Sequence, residues 1–145
     1  LGLWGLLEAR EDLYEIVPYV DILLPSAPEE SKALFDTDRP SNVISSSLEK
    51  GVKLVVVKCG PSGAVLGFNK DVHEVAAYSP EKVVDTSGAG DVFNGAFLYC
   101  LINGMSPLES ARLGTVMSGL KIRGRGATYS IPFRDEVFDL YNKLY

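Results

Sequence analysis

Apolar residues recur along this chain at two spacings, and the switches between the spacings mark out its elements. Between Ala9 and Tyr19, Leu13, Ile16 and Val17, continued by Val20, fall on one helical face with charges opposite, which predicts an amphipathic helix. Asp21-Ile22-Leu23-Leu24 is a short unbroken apolar run, the mark of a buried parallel strand, and Pro25 ends it. Ser26-Ala27-Pro28-Glu29-Glu30 predicts a helix start, with Ser26 as the cap and proline and acids in the first turn. Ser41 to Lys50 predicts another helix, stopped by Gly51. Lys53 to Val57 is the most β-rich run and predicts a central strand. A strand from Ala64 to Phe68, a turn at Asn69-Lys70-Asp71 and a strand from Val72 to Ala77 complete a hairpin.

The second half repeats the alternation. Val83-Val84-Asp85 reads as a strand end, followed by a glycine-rich turn and a helix from Gly88 to about Leu101. Val92, Phe93, Phe97 and Leu101 recur at helical spacing there and are expected in the core. Ser106-Pro107-Leu108-Glu109 carries the marks of a capping box with proline in the first helical position. That helix runs to about Lys121, and its small residues Ala111, Gly114, Ser118 and Gly119 suit close approach by a neighbour or a flat ligand. Arg123 to Pro132 is a glycine- and arginine-bearing loop, read as either a solvated turn or a phosphate site. Val137, Leu140 and Leu144 are expected to face inward from a last amphipathic helix. Buried strands alternating with helices, interrupted by one antiparallel hairpin, predict an α/β sandwich with a mostly parallel sheet. Such sheets bind ligands at the carboxyl ends of their strands, where the loops with candidate chemistry lie.

With 145 residues, 46% of them hydrophobic, the chain can bury a core, and one domain is expected. The net charge of −5 and the absence of a basic run argue against nucleic acid or an acidic membrane as partner. Two cysteines without paired spacing and a single histidine argue against a disulfide scaffold or a zinc site, and fit a cytoplasmic setting. Leu1-Gly2-Leu3-Trp4-Gly5 begins without Met and leads straight towards a helix.

The candidate chemistry sits in Asp85-Thr86-Ser87-Gly88-Ala89-Gly90-Asp91. Gly88 and Gly90 permit a sharp turn. The first amides of the helix have no intrahelical partner, and with the helix dipole they form an anion cradle. Asp91, in the first helical turn, could take a proton from a nucleophile while those amides hold the developing charge. An acid at a helix start also needs no chemical role. A Walker-type site would need Gly-x-x-x-x-Gly-Lys-Ser/Thr, which the chain lacks. Gly88, Gly90 and Gly95 have the wrong spacing for a dinucleotide turn. Asp85-Thr86-Ser87-Gly88 is similar to an aspartic-protease loop, but a second such loop is missing. A nucleotide- or sugar-binding regulatory module without activity is the rival of a different class.

The whole string resembles the second signature of the ribokinase-like carbohydrate kinases of the phosphofructokinase-B type, Asp-Thr-x-Gly-Ala-Gly-Asp. The resemblance implies a ribokinase-like three-layer α/β/α sandwich and ATP-dependent phosphorylation of a sugar hydroxyl. Asp91 would be the base, and Gly88, Ala89 and Gly90 the anion hole. Glu29, with Ser26 standing where the family has Asn, would help to hold Mg2+ and phosphate. The loop bearing Lys58, Gly60, Ser62 and Gly63 would line the nucleotide, although Lys58 reads equally well as a surface lysine and the turn as a plain hairpin. Thr115 stands where the family has Asn near adenine. A monovalent cation such as K+ would lie on Asp85, Ser87 and oxygens near Lys121, Gly124, Gly126 and Ser130. The sugar-binding strands and lid of these kinases lie in their first half. The chain is therefore expected to be a C-terminal nucleotide-binding and catalytic part, inactive alone, whose partners are a sugar or sugar acid, the N-terminal half and, through its lid, a second copy. Leu3-Trp4, Leu23-Leu24-Pro25-Ser26 and Pro132-Phe133-Arg134-Asp135-Glu136 look most like 2-keto-3-deoxygluconate kinases, with fructokinase or ribokinase as the alternative.

Overall fold

The computed structural model describes residues 6–145, with side chains from Arg10 onward; the Leu1–Gly5 start, including Leu3-Trp4, lies outside the described residues. The chain forms two compact units, one running to Gly60 and including Ala64–Glu74, the other made of Pro61–Gly63 and Val75–Tyr145.

The first unit runs α1 (Leu6–Ile16), a 3-10 turn (Val17–Tyr19), β1 (Ile22–Leu23), α2 (Glu29–Phe35), α3 (Pro40–Glu49), β2 (Leu54–Lys58), β3 (Ala64–Phe68) and β4 (Asp71–Val75). The sheet has the order β1-β2-β3-β4. β1 pairs parallel with β2, Ile22 opposite Leu54, and β2 pairs antiparallel with β3, Val56 opposite Leu66. Leu54 to Val57 are all buried, as the β-rich run predicts. Val17, Val43, Ile44, Val52, Val55 and Val57 form the core. Val17 is fully buried, whereas Ile16 is 54% exposed, because the helix ends at Ile16 and the 3-10 turn redirects the face. Gly67 on β3 has a packing reason: a Cβ there would lie 2.1 Å from Ile44 Cγ2.

The start of α2 differs from the expected cap. Ser26 makes no side-chain cap; the N-cap is Pro28. Glu30 reaches back instead, its carboxylate accepting the Ser26 amide at 2.6 Å, while the Ser26 carbonyl accepts the Ser31 amide at 3.0 Å. Carboxylates bind amides more strongly than hydroxyls do, and Glu30 is placed to reach.

The second unit holds α4 (Ala89–Ile102), α5 (Pro107–Lys121) and α6 (Arg134–Leu144). Cys100, Leu113, Val116, Leu120 and Val137 make its core. The small residues of α5 serve neighbours: a Cβ on Gly114 would meet the Phe93 ring at 2.9 Å, and one on Gly119 would meet the Tyr78 carbonyl at 2.3 Å. Ser106 and Glu109 close the capping box, with Pro107 beginning α5. Leu144, expected inward, is 48% exposed in the final turn. Val83-Val84-Asp85 is not a strand. The amides of Val84 and Asp85 both donate to the one Ile122 carbonyl, at 2.8 and 3.2 Å, which leaves no ladder to continue. No described helix is long and apolar enough to cross a membrane.

Gly67→Ala is expected to lower unfolding stability by about 1–3 kcal/mol through overpacking. In an Ile44→Ala background, which removes the clashing methyl, the added cost should fall below about 0.5 kcal/mol. Denaturant unfolding of the four proteins measures the difference.

Candidate active site

The turn before α4 is shaped so that amides stay free. Gly88 caps the helix in the left-handed region at φ 75°, and having no side chain it offers no cap of its own. The Ala89 amide closes a tight turn onto the Thr86 carbonyl at 3.1 Å, and the Val92 amide makes the first helical bond, to Gly88, at 3.0 Å. The amides of Gly88, Gly90 and Asp91 find no acceptor among the described residues. Of the three expected anion-hole donors, Ala89 is thus the one already engaged. A Cβ on Gly88 would lie 3.1 Å from the Ala127 carbonyl, so the loop before α6 also demands glycine there. Ser118 on α5 donates its hydroxyl to the Ala89 carbonyl at 2.9 Å and fixes the start of α4 from below.

Asp91 occupies the third position of α4, is exposed, and has no hydrogen-bond or ion-pair partner for its carboxylate among the described residues. At two other helix starts an acid in the first turn is engaged. Glu109 folds back onto the Ser106 amide at 2.9 Å and hydroxyl at 2.5 Å, and Glu30 onto the Ser26 amide. Asp91 leaves the corresponding Gly88 amide open. A carboxylate and vacant donors therefore stand together at the mouth of one helix, where an anion is favoured.

Asp85 ties the turn to the loop after α5. Its carboxylate accepts the Ser87 amide at 2.9 Å through Oδ1 and the Gly126 amide at 2.7 Å through Oδ2. Hydrogen bonds from Ser87 and then Gly126, with the charge of Lys121 behind them, hold its carboxyl far below the ordinary value of 3.8. Because the folded value is depressed, this contribution to stability is present above the ordinary value and is lost as pH falls toward the lowered one. The main-chain carbonyl of Asp85 accepts the ammonium of Lys121 at 3.0 Å. Gly124 donates its amide to the Lys121 carbonyl at 3.2 Å, and Ser130 its hydroxyl to the Gly126 carbonyl at 2.9 Å. Asp85, Ser87, Lys121, Gly124, Gly126 and Ser130 are thus brought into one network around the turn. The Lys121 ammonium and the Ser118 anchor were not foreseen from sequence; a lysine in the last turn of a helix ordinarily signals only a charge suited to the dipole.

The first unit brings Glu29 and Lys58 to one end of its sheet. Ser26 bridges Lys58 in parallel, the Ala27 amide donates to the Lys58 carbonyl and the Lys58 amide to the Pro25 carbonyl, each at 2.8 Å. Glu29 is exposed at the start of α2, and its carboxylate has no described partner. Gly60 and Ser62 form an exposed 3-10 turn. Gly63, at φ 94°, lies against backbone: a Cβ there would be 1.9 Å from the Val75 carbonyl. Thr115 stands apart from the turn network; it is 5% exposed and its hydroxyl donates to the Arg112 carbonyl at 2.8 Å. No group of three His, Cys, Asp or Glu side chains able to cage a metal occurs among the described residues. Magnesium bound mainly by phosphates needs only one or two carboxylates, and the unpaired Glu29 suits that demand.

Residues 3–134 match the family model described as pfkB family carbohydrate kinase. The ATP-dependent 6-phosphofructokinase of Thermoanaerobacterium thermosaccharolyticum is 33% identical over 135 residues, which cover 93% of this chain and 41% of that protein. The ribokinase of Lactococcus lactis is 35% identical over 129 residues, 89% of this chain and 41% of that one. A 2-dehydro-3-deoxygluconokinase of Haemophilus influenzae is 31% identical over 129 residues, covering 86% and 40%. The chain thus spans about two fifths of the length of these curated relatives. Among solved structures, Thermotoga maritima ribokinase superposes with a TM-score of 0.80 at 36% identity, over 90% of this chain and 44% of that one. A putative ribokinase II of E. coli, in complex with ATP and Mg2+, gives 0.81 at 29% identity, over 94% and 43%. The family match across nearly the whole chain and the agreement in backbone lead to one conclusion: this chain belongs to the pfkB family of carbohydrate kinases and has the ribokinase-like α/β fold.

Proposed function

We propose that this chain supplies the nucleotide-binding and catalytic part of a sugar kinase that transfers the γ-phosphoryl group of ATP to a sugar hydroxyl. The observation that carries the reading is the unpaired Asp91 carboxylate beside the open amides of Gly88 and Gly90. Asp91 takes the hydroxyl proton as the sugar oxygen bonds to phosphorus and the bond from phosphorus to the leaving ADP oxygen breaks. Charge spreads over the equatorial phosphoryl oxygens, where the amides of Gly88 and Gly90 stabilise it, the Ala89 amide being held by the Thr86 carbonyl. Positioning and electrostatics supply most of the acceleration in such a transfer.

Lys58 contributes positive charge to the phosphates, while Gly60, Ser62 and Gly63 border the nucleotide and Thr115 borders the adenine side. Glu29 would help to hold a magnesium ion, which would supply positive charge to the phosphates. The favoured acceptor is 2-keto-3-deoxygluconate, supported by the Leu23-Leu24-Pro25-Ser26 and Pro132-Phe133-Arg134-Asp135-Glu136 segments and by a relative whose name carries that activity. Ribose and fructose are the alternatives, and relatives named ribokinase support the first. Cys59 and Cys100 are free thiols, in keeping with a cytoplasmic enzyme.

Asp91→Asn in the complete protein is expected to lower sugar-dependent ATP turnover by about 10²–10⁴-fold, the usual worth of a general base. ATP affinity measured by calorimetry should change little; unchanged turnover would remove Asp91 as the base. A phosphorylation assay of the complete protein against the three sugars should give the highest kcat/KM with 2-keto-3-deoxygluconate. The 145 residues alone should show no sugar-dependent turnover, and measurable turnover would contradict their assignment as a part.

A further inference from the structure

Lys121 closes α5 with no exposed surface, and its ammonium donates to the main-chain carbonyl of Asp85 at 3.0 Å. Lysine is almost never fully buried unless its charge is paired. Its partner carbonyl belongs to Asp85, whose carboxylate organises the turn. The neighbouring Arg123 pairs with Glu136, and Arg125 is exposed, so Lys121 is the buried cation of this network.

The resemblance would put a monovalent ion at this place, and the residues present fit one poorly. Both carboxylate oxygens of Asp85 already accept amides, from Ser87 and Gly126. The Asp85 carbonyl accepts the ammonium, the Lys121 carbonyl accepts Gly124, and the Gly126 carbonyl accepts the Ser130 hydroxyl. An added ion would stand beside an ammonium of the same charge that already holds the Asp85 carbonyl.

We propose that the ε-ammonium of Lys121 is the built-in cation of this site: it performs the work of a bound monovalent ion, so that the protein needs no potassium. This rests on the kinase reading of the Asp91 turn. An ammonium and a potassium ion carry equal charge and both accept carbonyl oxygens as partners. Held on α5, the ammonium fixes the Asp85 backbone and adds positive potential behind the Gly88 and Gly90 amides. It touches no substrate and acts through the turn, as a positioning residue.

The test uses the complete protein carrying this chain, at constant ionic strength, in potassium, sodium or tetramethylammonium chloride. Two readouts are taken: the unfolding temperature without nucleotide, and sugar-dependent ATP turnover. The unsubstituted protein is expected to show no potassium-specific rise in unfolding temperature and less than about twofold difference in turnover between salts. Lys121→Ala, which removes the charge and opens space, is expected to lose about 10²-fold in turnover in tetramethylammonium, the scale of a lost electrostatic stabiliser. Potassium, and not tetramethylammonium, should restore at least about tenfold of that loss. Potassium stimulation of the unsubstituted protein by more than about tenfold, or a potassium-specific rise in its unfolding temperature, would overturn the proposal. A folded Lys121→Ala protein whose loss no cation repairs would also overturn it, since the lysine would then be a strut. Lys121→Met preserves the packing of the stem and serves where the alanine variant does not fold; it should lose turnover in every salt, and full turnover would contradict the proposal. Failure of the kinase reading is distinct, because it shows as no turnover with any sugar in any salt while the unfolding measurement still reports on Lys121.

Discussion

Two amide hydrogen bonds to one carboxylate hold the second unit's chemistry in place. Asp85 takes Ser87 from its own turn and Gly126 from the loop after α5, and so joins segments far apart in sequence. With Ser87 drawn back toward Asp85, Gly88 must enter the left-handed region before α4 can begin. That path is open to glycine at little cost and costly to residues with a Cβ. The consequence is a helix whose first donors face outward with no cap to satisfy them. Supports from α5, the Ser118 hydroxyl on the Ala89 carbonyl and the Lys121 ammonium on the Asp85 carbonyl, bind the turn from its other side.

Among the described residues, two helix-start acids satisfy their own helix. Glu30 and Glu109 each return to an upstream amide, trading carboxylate hydration for charge-assisted hydrogen bonds. Asp91 is one methylene shorter than glutamate and follows a left-handed glycine, and its carboxylate stays in solvent. Position in a helix therefore does not separate a capping acid from a free one. What separates them is whether the carboxylate is already spent. An unspent carboxylate next to unspent amides is the arrangement that proton removal coupled to anion transfer requires.

Much of this was legible where the signal is local. Ser106-Pro107-Leu108-Glu109 encodes its cap within four residues, and the Ala64 to Phe68 run carries the limits of β3 in its own pattern. The signature turn was legible for the same reason, since its glycines and acids are contiguous. What escaped depends on partners distant in sequence. Val83-Val84-Asp85 has strand composition, yet its amides are captured by the Ile122 carbonyl. Ile16 and Leu144 continue apolar faces past the point where their helices meet anything to bury them. Gly67 reads as a weak strand residue until the Ile44 methyl is seen against it. For Lys121 the sequence points only to nearby carbonyl oxygens, because nothing in it says which way a buried lysine directs its ammonium.

If Asp91 is the base, its carboxylate and the Gly88 and Gly90 amides must face the same transferred group. A crystal structure of the complete protein with its sugar, ADP, magnesium and a planar phosphoryl mimic tests it most directly. An Asp91 carboxylate oxygen is expected in hydrogen-bonding contact with the acceptor hydroxyl, with the Gly88 and Gly90 amides on the mimic's oxygens. A complex in which Asp91 turns to solvent, or in which those amides bind nothing while the sugar and the mimic are in place, would contradict it.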